Sequence, residues 1–203
     1  MNVKDTILEE AIKLFQREGI DSNTEDQLRQ KLDISQATYK ELFSSKEDLV
    51  RQAIEHDIAV QEEFKKNLLK KANTSVEEIL ILIQQGIKDM KETNPAYISD
   101  IIQHYPRVWE MCLDYLNTHS YHQIYDILNR GVQSGDFRKD INMQLVTKIM
   151  LEMATMLLNP NTFPPERFNL SEVYRSMYLY YIRGLCTDSG AKSAENYFSN
   201  LSI

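Results

Sequence analysis

Two histidines, His119 and His122, stand three residues apart in a segment whose composition predicts a helix. Side chains at this spacing lie on one face of a helix and are close enough to share a metal ion. No acidic or sulfur residue completes a ligand set nearby, and Cys112 lies about two helical turns upstream. We therefore interpret the histidines as surface or pocket residues and predict no metal site.

The chain also lacks the sequence patterns that accompany catalysis. It has no nucleophile motif, no glycine-rich phosphate loop and no paired-carboxylate pattern. Its two cysteines, Cys112 and Cys186, share no motif and are typical of a reducing cytosol. We predict that the protein is not an enzyme, with no catalytic residues and no cofactor.

A different set of polar residues opens a short predicted helix. Ser35 is a helix-capping residue type, and the helix after it is expected to reach Phe43. Gln36 can pair bidentately with adenine, while the small groups of Ala37 and Thr38 suit a thymine methyl. These residue types favour contact with DNA bases. The alternative, that the segment only packs a small helical bundle, stays open.

The neighbouring elements that must position this segment are also short helices. Apolar residues recur at helical spacing from Ile7 to Phe15, and Gly19 ends that helix. Thr24 followed by Gln27 is a capping-box pattern that opens a second helix. A tight turn at Asp33 separates the second helix from the third. Two short helices joined in this way have the geometry of a helix-turn-helix.

The rest of the chain predicts longer helices and no strands. The expected spans are about 46–72, 75–93, 106–134, 141–158 and 170–187. We therefore predict an all-α fold, with a three-helix helix-turn-helix domain over residues 1–50. A larger helical-bundle domain for ligand binding and dimerisation is expected over residues 51–188, followed by a C-terminal tail over residues 189–203.

One ordered set of residues carries a family resemblance: Ile7-Leu8, Ala11, Leu14-Phe15, Gly19-Ile20, Ser35 to Tyr39, Phe43 and Ser45 to Leu49. Over about residues 4–50 this set resembles the DNA-binding domain of the tetracycline-repressor (TetR) family. The resemblance implies that the helix after Ser35 lies in the major groove of DNA. The DNA contacts it implies are Ser35, Gln36, Ala37, Thr38, Tyr39, Lys40 and Lys46. Of these, Thr38, Lys40 and Lys46 occupy positions that usually hold the DNA backbone.

The chain departs from the family pattern in three features. Lys40 stands where the family usually carries a tyrosine, Asp33 stands where a glycine is common, and Leu28-Arg29 replaces an Ile-Ala pair. Aspartate tolerates a left-handed turn better than most residues, so the turn at Asp33 is expected to form. Lys40 exchanges a neutral contact with the DNA backbone for a charged one.

Charge is the main difficulty for a DNA-binding interpretation. The whole chain carries a net charge of −7, and residues 1–50 hold seven Lys or Arg against eleven Asp or Glu. DNA-binding modules are normally basic. If the cations at positions 4, 13, 29, 31, 40 and 46 share a face with the third helix, DNA binding is favoured. If they are scattered among carboxylates, a module that has lost DNA binding is favoured.

Aromatic and histidine residues are dense between residues 97 and 125. They are either ordinary core or the lining of a ligand cavity, which is typically apolar with a few polar groups. The family resemblance implies that a small effector binds in this part of the chain. The pocket residues predicted on this basis are Tyr97, His104, Tyr105, Trp109, His119, His122, Met150 and Met153.

The last two predicted helices are apolar around most of their circumference. A helix of this kind is buried on nearly all sides, either in the core of one chain or against a second copy related by a two-fold axis. The residues predicted for such a dimer interface are Leu145, Ile149, Val173, Met177, Tyr181 and Leu185.

Together these features predict a homodimeric, DNA-binding transcriptional regulator. We expect a repressor that a small apolar or amphipathic effector releases from a double-stranded DNA operator. The alternative is a helical ligand-binding or protein-interaction module that has kept the helix-turn-helix fold and lost DNA binding. Neither a secretory signal nor a membrane-length apolar run is evident, so a cytoplasmic location without membrane association is expected.

Overall fold

The computed structural model describes residues 2–159 and 161–199, and most of them are helical. The elements in chain order are α1 (Val3–Glu18), α2 (Glu25–Lys31), α3 (Gln36–Leu42), α4 (Lys46–Leu69), α5 (Ser75–Glu92), α6 (Pro95–His104), α7 (Pro106–Tyr115), a π-helical turn (Leu116–Ser120), α8 (Tyr121–Ser134), α9 (Met143–Leu158), α10 (Leu170–Leu185) and α11 (Asp188–Ser199). No strand occurs in the described residues, which confirms the predicted all-α class.

Local sequence signals set the boundaries of the first helices. At the start of α2, the Thr24 hydroxyl accepts from the Gln27 N–H, and the Gln27 side chain accepts from the Thr24 N–H at 2.8 Å. This reciprocal pair is the predicted capping box. Between α2 and α3, Asp33 has a φ of +51°, the left-handed conformation expected for the turn. The helix-turn-helix elements are therefore those that the sequence predicts.

The chain divides into two compact units, each with its own core. The first extends from the N-terminus to Phe64 and resumes from Glu92 to Cys112, so it contains α6 in addition to the helix-turn-helix. The domain boundary predicted at residue 50 encloses only the helix-turn-helix, whereas this unit also includes α6. The core of this unit includes the fully buried side chains of Phe15, Ile20, Leu28, Tyr39, Phe43 and Leu49.

Within the first unit, α6 holds the loop between α1 and α2. One carboxylate oxygen of Asp100 accepts from the backbone N–H groups of Ile20 and Asp21, at 2.7 and 2.9 Å. The Tyr105 hydroxyl donates to the Asp21 carboxylate at 2.8 Å. Gly19, with a φ of +82°, lets α1 end in this tight loop. The loop that precedes α2 is therefore fixed by side chains far away in sequence.

The second unit comprises Lys65–Lys91 and the chain from Leu113 onward. Its core includes Ile79, Leu80, Ile127, Leu128, Phe137 and Ile182. A Cβ at Gly131 would lie 2.2 Å from the Phe137 ring, so this glycine lets the ring pack directly on the α8 backbone. Part of the predicted C-terminal tail is the helix α11. Its Ala191, Ala194 and Tyr197 pack on the core, while residues 200–203 lie outside the described residues.

The segment predicted as one helix over residues 106–134 is divided by the π-helical turn. This turn separates α7 from α8. Among the described residues, no helix is long and apolar enough to span a lipid bilayer.

Candidate functional site

The short helix α3 is fixed at both ends by side chains. At its start, the Ser35 hydroxyl accepts from the Thr38 N–H at 3.0 Å and lies 2.8 Å from the Thr38 hydroxyl. At its end, the rings of Tyr39 and Phe43 meet edge to face, with centroids 5.5 Å apart, in the core of the first unit. Aromatic packing of this kind stabilises the position of a short helix. The outward face of α3 is thus presented on a rigid element.

Five of the seven predicted DNA contacts lie at least partly on the outward face of α3. Ser35, Gln36, Ala37 and Lys40 are exposed, and Thr38 is half-buried. The side chains of Gln36 and Lys40 make no hydrogen bond or ion pair within the described part of the chain. An amide and an ammonium without internal partners are available to a ligand on this face.

Tyr39 does not belong to that exposed surface, contrary to the prediction. Its side chain is buried against Phe43, and burial, with a smaller contribution from nearby carboxylates, raises the pKa of the Tyr39 hydroxyl to about 12. The hydroxyl oxygen has no hydrogen-bond partner among the described residues. Tyr39 follows Thr38 by one position, and one step around a helix turns a side chain by about 100°, here from the surface to the core.

Lys46 is engaged inside the protein. Its ammonium donates to the backbone carbonyl of Asn23 at 2.8 Å and lies 3.4 Å from the Asp21 carboxylate. These contacts tie the first turn of α4 to the loop before α2. A phosphate at Lys46 would therefore compete with contacts that already hold the helix-turn-helix together.

The other cations near the helix-turn-helix are mostly paired with carboxylates. Lys13 contacts Glu10 at 2.7 Å, Arg29 contacts Asp26 at 2.5 Å, and Lys31 contacts Glu18 at 2.5 Å. With Lys46, four of the six cations considered in the sequence are thus in ion pairs. Hydrogen bonds from Lys31 and Arg17 lower the pKa of the Glu18 carboxyl to about 2. By the charge criterion of the sequence analysis, this arrangement favours a module that has lost DNA binding. Lys40 is the exception on α3.

Asp21, Asp100 and His104 are the one candidate metal group in the described part of the chain, with ligand atoms within 4.8 Å of one another. The Asp21 carboxylate already accepts from Tyr105 and lies near the Lys46 ammonium. Asp100 already accepts from two backbone N–H groups. A cation beside the Lys46 ammonium would be repelled, so this group acts as a structural network.

A cavity of about 160 Å³ lies within the second unit, between α5, the π-helical turn, α8, α9 and α10. Two aromatic rings of α10 form part of its wall. The rings of Tyr174 and Tyr178 stack with centroids 4.4 Å apart, and the Tyr178 hydroxyl donates to the Met150 carbonyl at 2.6 Å. Most lining residues are apolar, with Lys65, Asp89, Ser120 and Gln123 as polar members.

Of the predicted pocket residues, Met150 lines this cavity. Tyr97 and Tyr105 are buried in the core of the first unit, and Trp109 packs against that core. His104 is exposed and lies 3.5 Å from the Asp21 carboxylate. These residues do not line the cavity because the aromatic-rich segment is divided between the two units.

The remaining predicted pocket residues belong to the second unit but lie outside the cavity lining. His119 stacks on Tyr115 with ring centroids 5.1 Å apart, and His122 is exposed with its ring edge-on to Tyr121. Met153 packs against the core. Sequence reasoning missed lining residues on every element around the cavity; among them, Gly86 on α5 and Tyr174 on α10 carry no signal beyond ordinary helix composition.

The predicted dimer residues are divided between surface and core. Leu145 is 56% exposed, whereas Leu185 is buried in the core of the second unit. Ile149, Val173, Met177 and Tyr181 are half-buried. Tyr180, which the prediction did not include, is 76% exposed and lies on the same face of α10 as Val173 and Met177.

Solved structures of similar fold are known, although no protein-family profile and no curated protein sequence matches the chain. A TetR-family regulator from Cytophaga hutchinsonii superimposes with a TM-score of 0.70 at 14% identity, over 91% of this chain and 95% of that chain. A protein from Saccharomonospora viridis, described as a transcriptional regulator in complex with choline, gives 0.72 at 16% identity over 91% and 97%.

A third structure is a cysteine mutant of the TetR-family regulator CifR in complex with 26-base-pair double-stranded operator DNA. It superimposes with a TM-score of 0.65 at 18% identity, over 89% of this chain and 95% of that chain. The protein therefore has the fold of TetR-family transcriptional regulators, as the sequence resemblance implied.

Proposed function

We propose that the protein is a DNA-binding transcriptional regulator without catalytic activity. The observation that carries this proposal is the outward face of α3, where Gln36, Ala37 and Lys40 are exposed while Tyr39 and Phe43 fix the helix from within. A helix-turn-helix binds DNA through the N-terminal residues of its second helix. Gln36 would contact a base edge, and Lys40 would contact a phosphate.

The charge pattern constrains how this binding would work. Electrostatic affinity for DNA comes from cations that release counterions at phosphates. Since Lys13, Arg29, Lys31 and Lys46 are already paired, few cations of this region are free to do so. We expect affinity for random DNA to be weak and operator recognition to depend on base contacts from α3.

A homodimer would supply a second copy of α3. Exposed apolar side chains on two helices of the second unit support a two-fold interface formed by these helices: Leu145 and Met156 on α9, and Tyr180 on α10. Two α3 helices about 34 Å apart would match successive major grooves on one side of a near-palindromic operator.

We further propose a repressor that an effector releases from DNA. A small molecule in the second unit would favour a conformation with lower operator affinity, with a coupling free energy of about 1–3 kcal/mol. The choline-bound and operator-bound structures of similar fold support a protein that binds both a small molecule and DNA.

The second candidate is a helical ligand-binding module whose helix-turn-helix no longer binds DNA. The observation that favours it is the pairing of four cations with carboxylates. Both candidates retain the cavity of the second unit, so DNA binding distinguishes them.

The deciding experiment selects duplexes from a random DNA pool with purified, folded protein at low and physiological salt. Enrichment of a near-palindrome is expected, and Gln36→Ala should abolish the preference at one base position of each half-site. Gln144→Ala, an exposed glutamine on α9, is the matched control and should leave the preference unchanged. No enrichment at either salt, after an inhibitory bound effector has been excluded, would establish the second candidate.

A further inference from the structure

We propose that the cavity of the second unit binds a small, electrically neutral molecule that is mostly apolar and carries one hydrogen-bonding group, such as a simple phenol. This inference rests on the proposed function only in identifying that molecule as the effector. Binding itself depends on the second unit alone.

The size and walls of the cavity limit the guest. Its volume of about 160 Å³ is below the roughly 300–1,000 Å³ of sites for drug-sized ligands. The apolar lining consists of Ile79, Leu82, Ile83, Leu116, Ile124, Met150, Leu151 and Ala154, together with the Tyr174 and Tyr178 rings. A single ring with a short substituent fits such a space and gains from burial of its apolar surface.

The Tyr174 hydroxyl is the group that can orient this guest. A Cβ at Gly86 would lie 2.4 Å from the Tyr174 hydroxyl oxygen, so the bare backbone of α5 makes room for it. The Tyr178 hydroxyl is already used by the Met150 carbonyl. The Tyr174 hydroxyl makes no hydrogen bond within the described part of the chain. Burial, with nearby Tyr178 and Asp89, raises the pKa of Tyr174, so the hydroxyl stays protonated and can both donate and accept.

Charge in the lining favours a neutral guest. Lys65 and Asp89 are the ionisable lining residues apart from the tyrosines, and their charges are opposite. The Asp89 carboxylate also accepts from the Gln85 side chain at 2.7 Å. Ser120 and Gln123 add neutral polar atoms. The formal charges of the lining therefore sum to about zero, and a charged guest would lose its hydration in surroundings without a net countercharge, which costs free energy.

Three ring compounds of similar shape test the charge of the guest. Isothermal titration calorimetry at neutral pH compares 4-methylphenol with the anion 4-methylbenzoate and the cation 4-methylbenzylamine. We expect 4-methylphenol to bind at least about tenfold more tightly than either ion, the factor that about 1.4 kcal/mol confers. Equal or tighter binding of an ion would overturn the proposal, as would the absence of 4-methylphenol binding.

Two variants test the site. Tyr174→Phe should weaken 4-methylphenol binding about fivefold and leave binding of toluene, which has no hydroxyl, unchanged. Gly86→Ala should abolish binding because the added methyl group displaces Tyr174 into the cavity. Gly184→Ala is the matched control, since a Cβ there meets nothing within 4 Å. Wild-type affinity in Gly86→Ala, with folding checked by circular dichroism, would refute the site.

The outcome is separable from that of the DNA selection. An enriched operator without 4-methylphenol binding would overturn this inference and leave the regulator intact. Binding of 4-methylphenol without an operator would support this inference and favour the ligand-binding module.

Discussion

Lys40 and Lys46 illustrate how one residue type acquires two roles in the same small region. The Lys40 side chain is exposed on α3 and has no partner within the described residues. The Lys46 ammonium donates to the Asn23 carbonyl and lies beside the Asp21 carboxylate. The first is free to neutralise a phosphate, and the second stabilises the loop before α2. From their positions in the sequence alone, both lysines are predicted to contact the DNA backbone.

Lys40→Ala should therefore flatten the salt dependence of operator binding by about one unit of slope per protomer. Lys46→Ala should leave that slope nearly unchanged and lower the free energy of unfolding instead, by about 1 kcal/mol. Fluorescence anisotropy of labelled operator over a salt series, together with urea unfolding, measures both quantities. Equal slopes for Lys40→Ala and the wild type would show that Lys40 makes no phosphate contact.

Asp48 is a second residue with a defined local role. Its carboxylate accepts from the Ser44 N–H at 2.9 Å and from the Ser44 hydroxyl at 3.1 Å, before the first turn of α4. These bonds, with that to the Ser44 N–H contributing most, lower the pKa of Asp48 well below its usual range. The carboxylate thus stabilises the folded state above about pH 4. This stabilisation is lost as the pH falls through the lowered pKa of the folded state.

Asp48→Asn should reduce the free energy of unfolding by about 1 kcal/mol at neutral pH. The difference from the wild type should shrink progressively as the pH falls below about 4, because the carboxyl of the unfolded chain becomes protonated there first. Urea unfolding at several pH values gives these differences. Asp126→Asn, at an exposed carboxylate on α8, is the control and should have little effect at any pH. A difference that does not vary with pH would contradict the capping role of the charge.

The π-helical turn is the element with the most direct relation to the cavity, since Leu116 and Ser120 both line it. Two of its own side chains donate back to carbonyl groups at the end of α7. The Asn117 amide donates to the Leu113 carbonyl at 2.8 Å, and the Thr118 hydroxyl donates to the Asp114 carbonyl at 2.7 Å. Irregular turns of this kind are frequent at functional sites.

Thr118→Val keeps the shape of the side chain and removes its hydroxyl. We expect it to lower the free energy of unfolding by about 1 kcal/mol and to increase amide exchange in the π-helical turn. Thr118→Ser, which keeps the hydroxyl, should preserve the slow exchange. Hydrogen-exchange mass spectrometry of peptides covering residues 113–121 makes the comparison. Equal exchange in both variants would show that the hydroxyl does not support the turn.

At the element scale, the sequence predicted most of what local chemistry controls. The capping box at Thr24 and the left-handed turn at Asp33 follow from residue types that bond to their own backbone. The π-helical turn could not be predicted, because Asn117 and Thr118 make the same backward bonds in ordinary helices. The cavity could not be predicted either, because the side chain that packs beside Gly86 is Tyr174 of α10, which is far away in sequence.

At the scale of the whole molecule, the remaining exposed apolar side chains suggest how copies associate. Leu145 and Met156 on α9 and Tyr180 on α10 are exposed, whereas the other apolar residues of these helices are buried or half-buried. Leu185 belongs to the chain's own core, so it is no longer part of the proposed interface. The interface proposed here is therefore narrower than the sequence indicated.

Tyr180→Glu should weaken dimerisation at least about tenfold, because it places a charge at the centre of the proposed apolar interface. Analytical ultracentrifugation over a concentration series measures the dissociation constant. Val3→Glu introduces the same charge at an exposed apolar residue of the first unit and should leave the constant unchanged. A monomeric wild type, or an unaffected Tyr180→Glu dimer, would contradict the interface.

The position of Trp109 gives the protein an intrinsic optical probe. It is the single tryptophan of the chain and packs against the core of the first unit. Its emission therefore reports the melting of the helix-turn-helix unit, while far-ultraviolet circular dichroism reports all helices together. Both signals can be followed in one denaturant titration. Coincident curves would mean that the two cores unfold as a single cooperative body. Separated curves would give each core its own stability, without any attached dye.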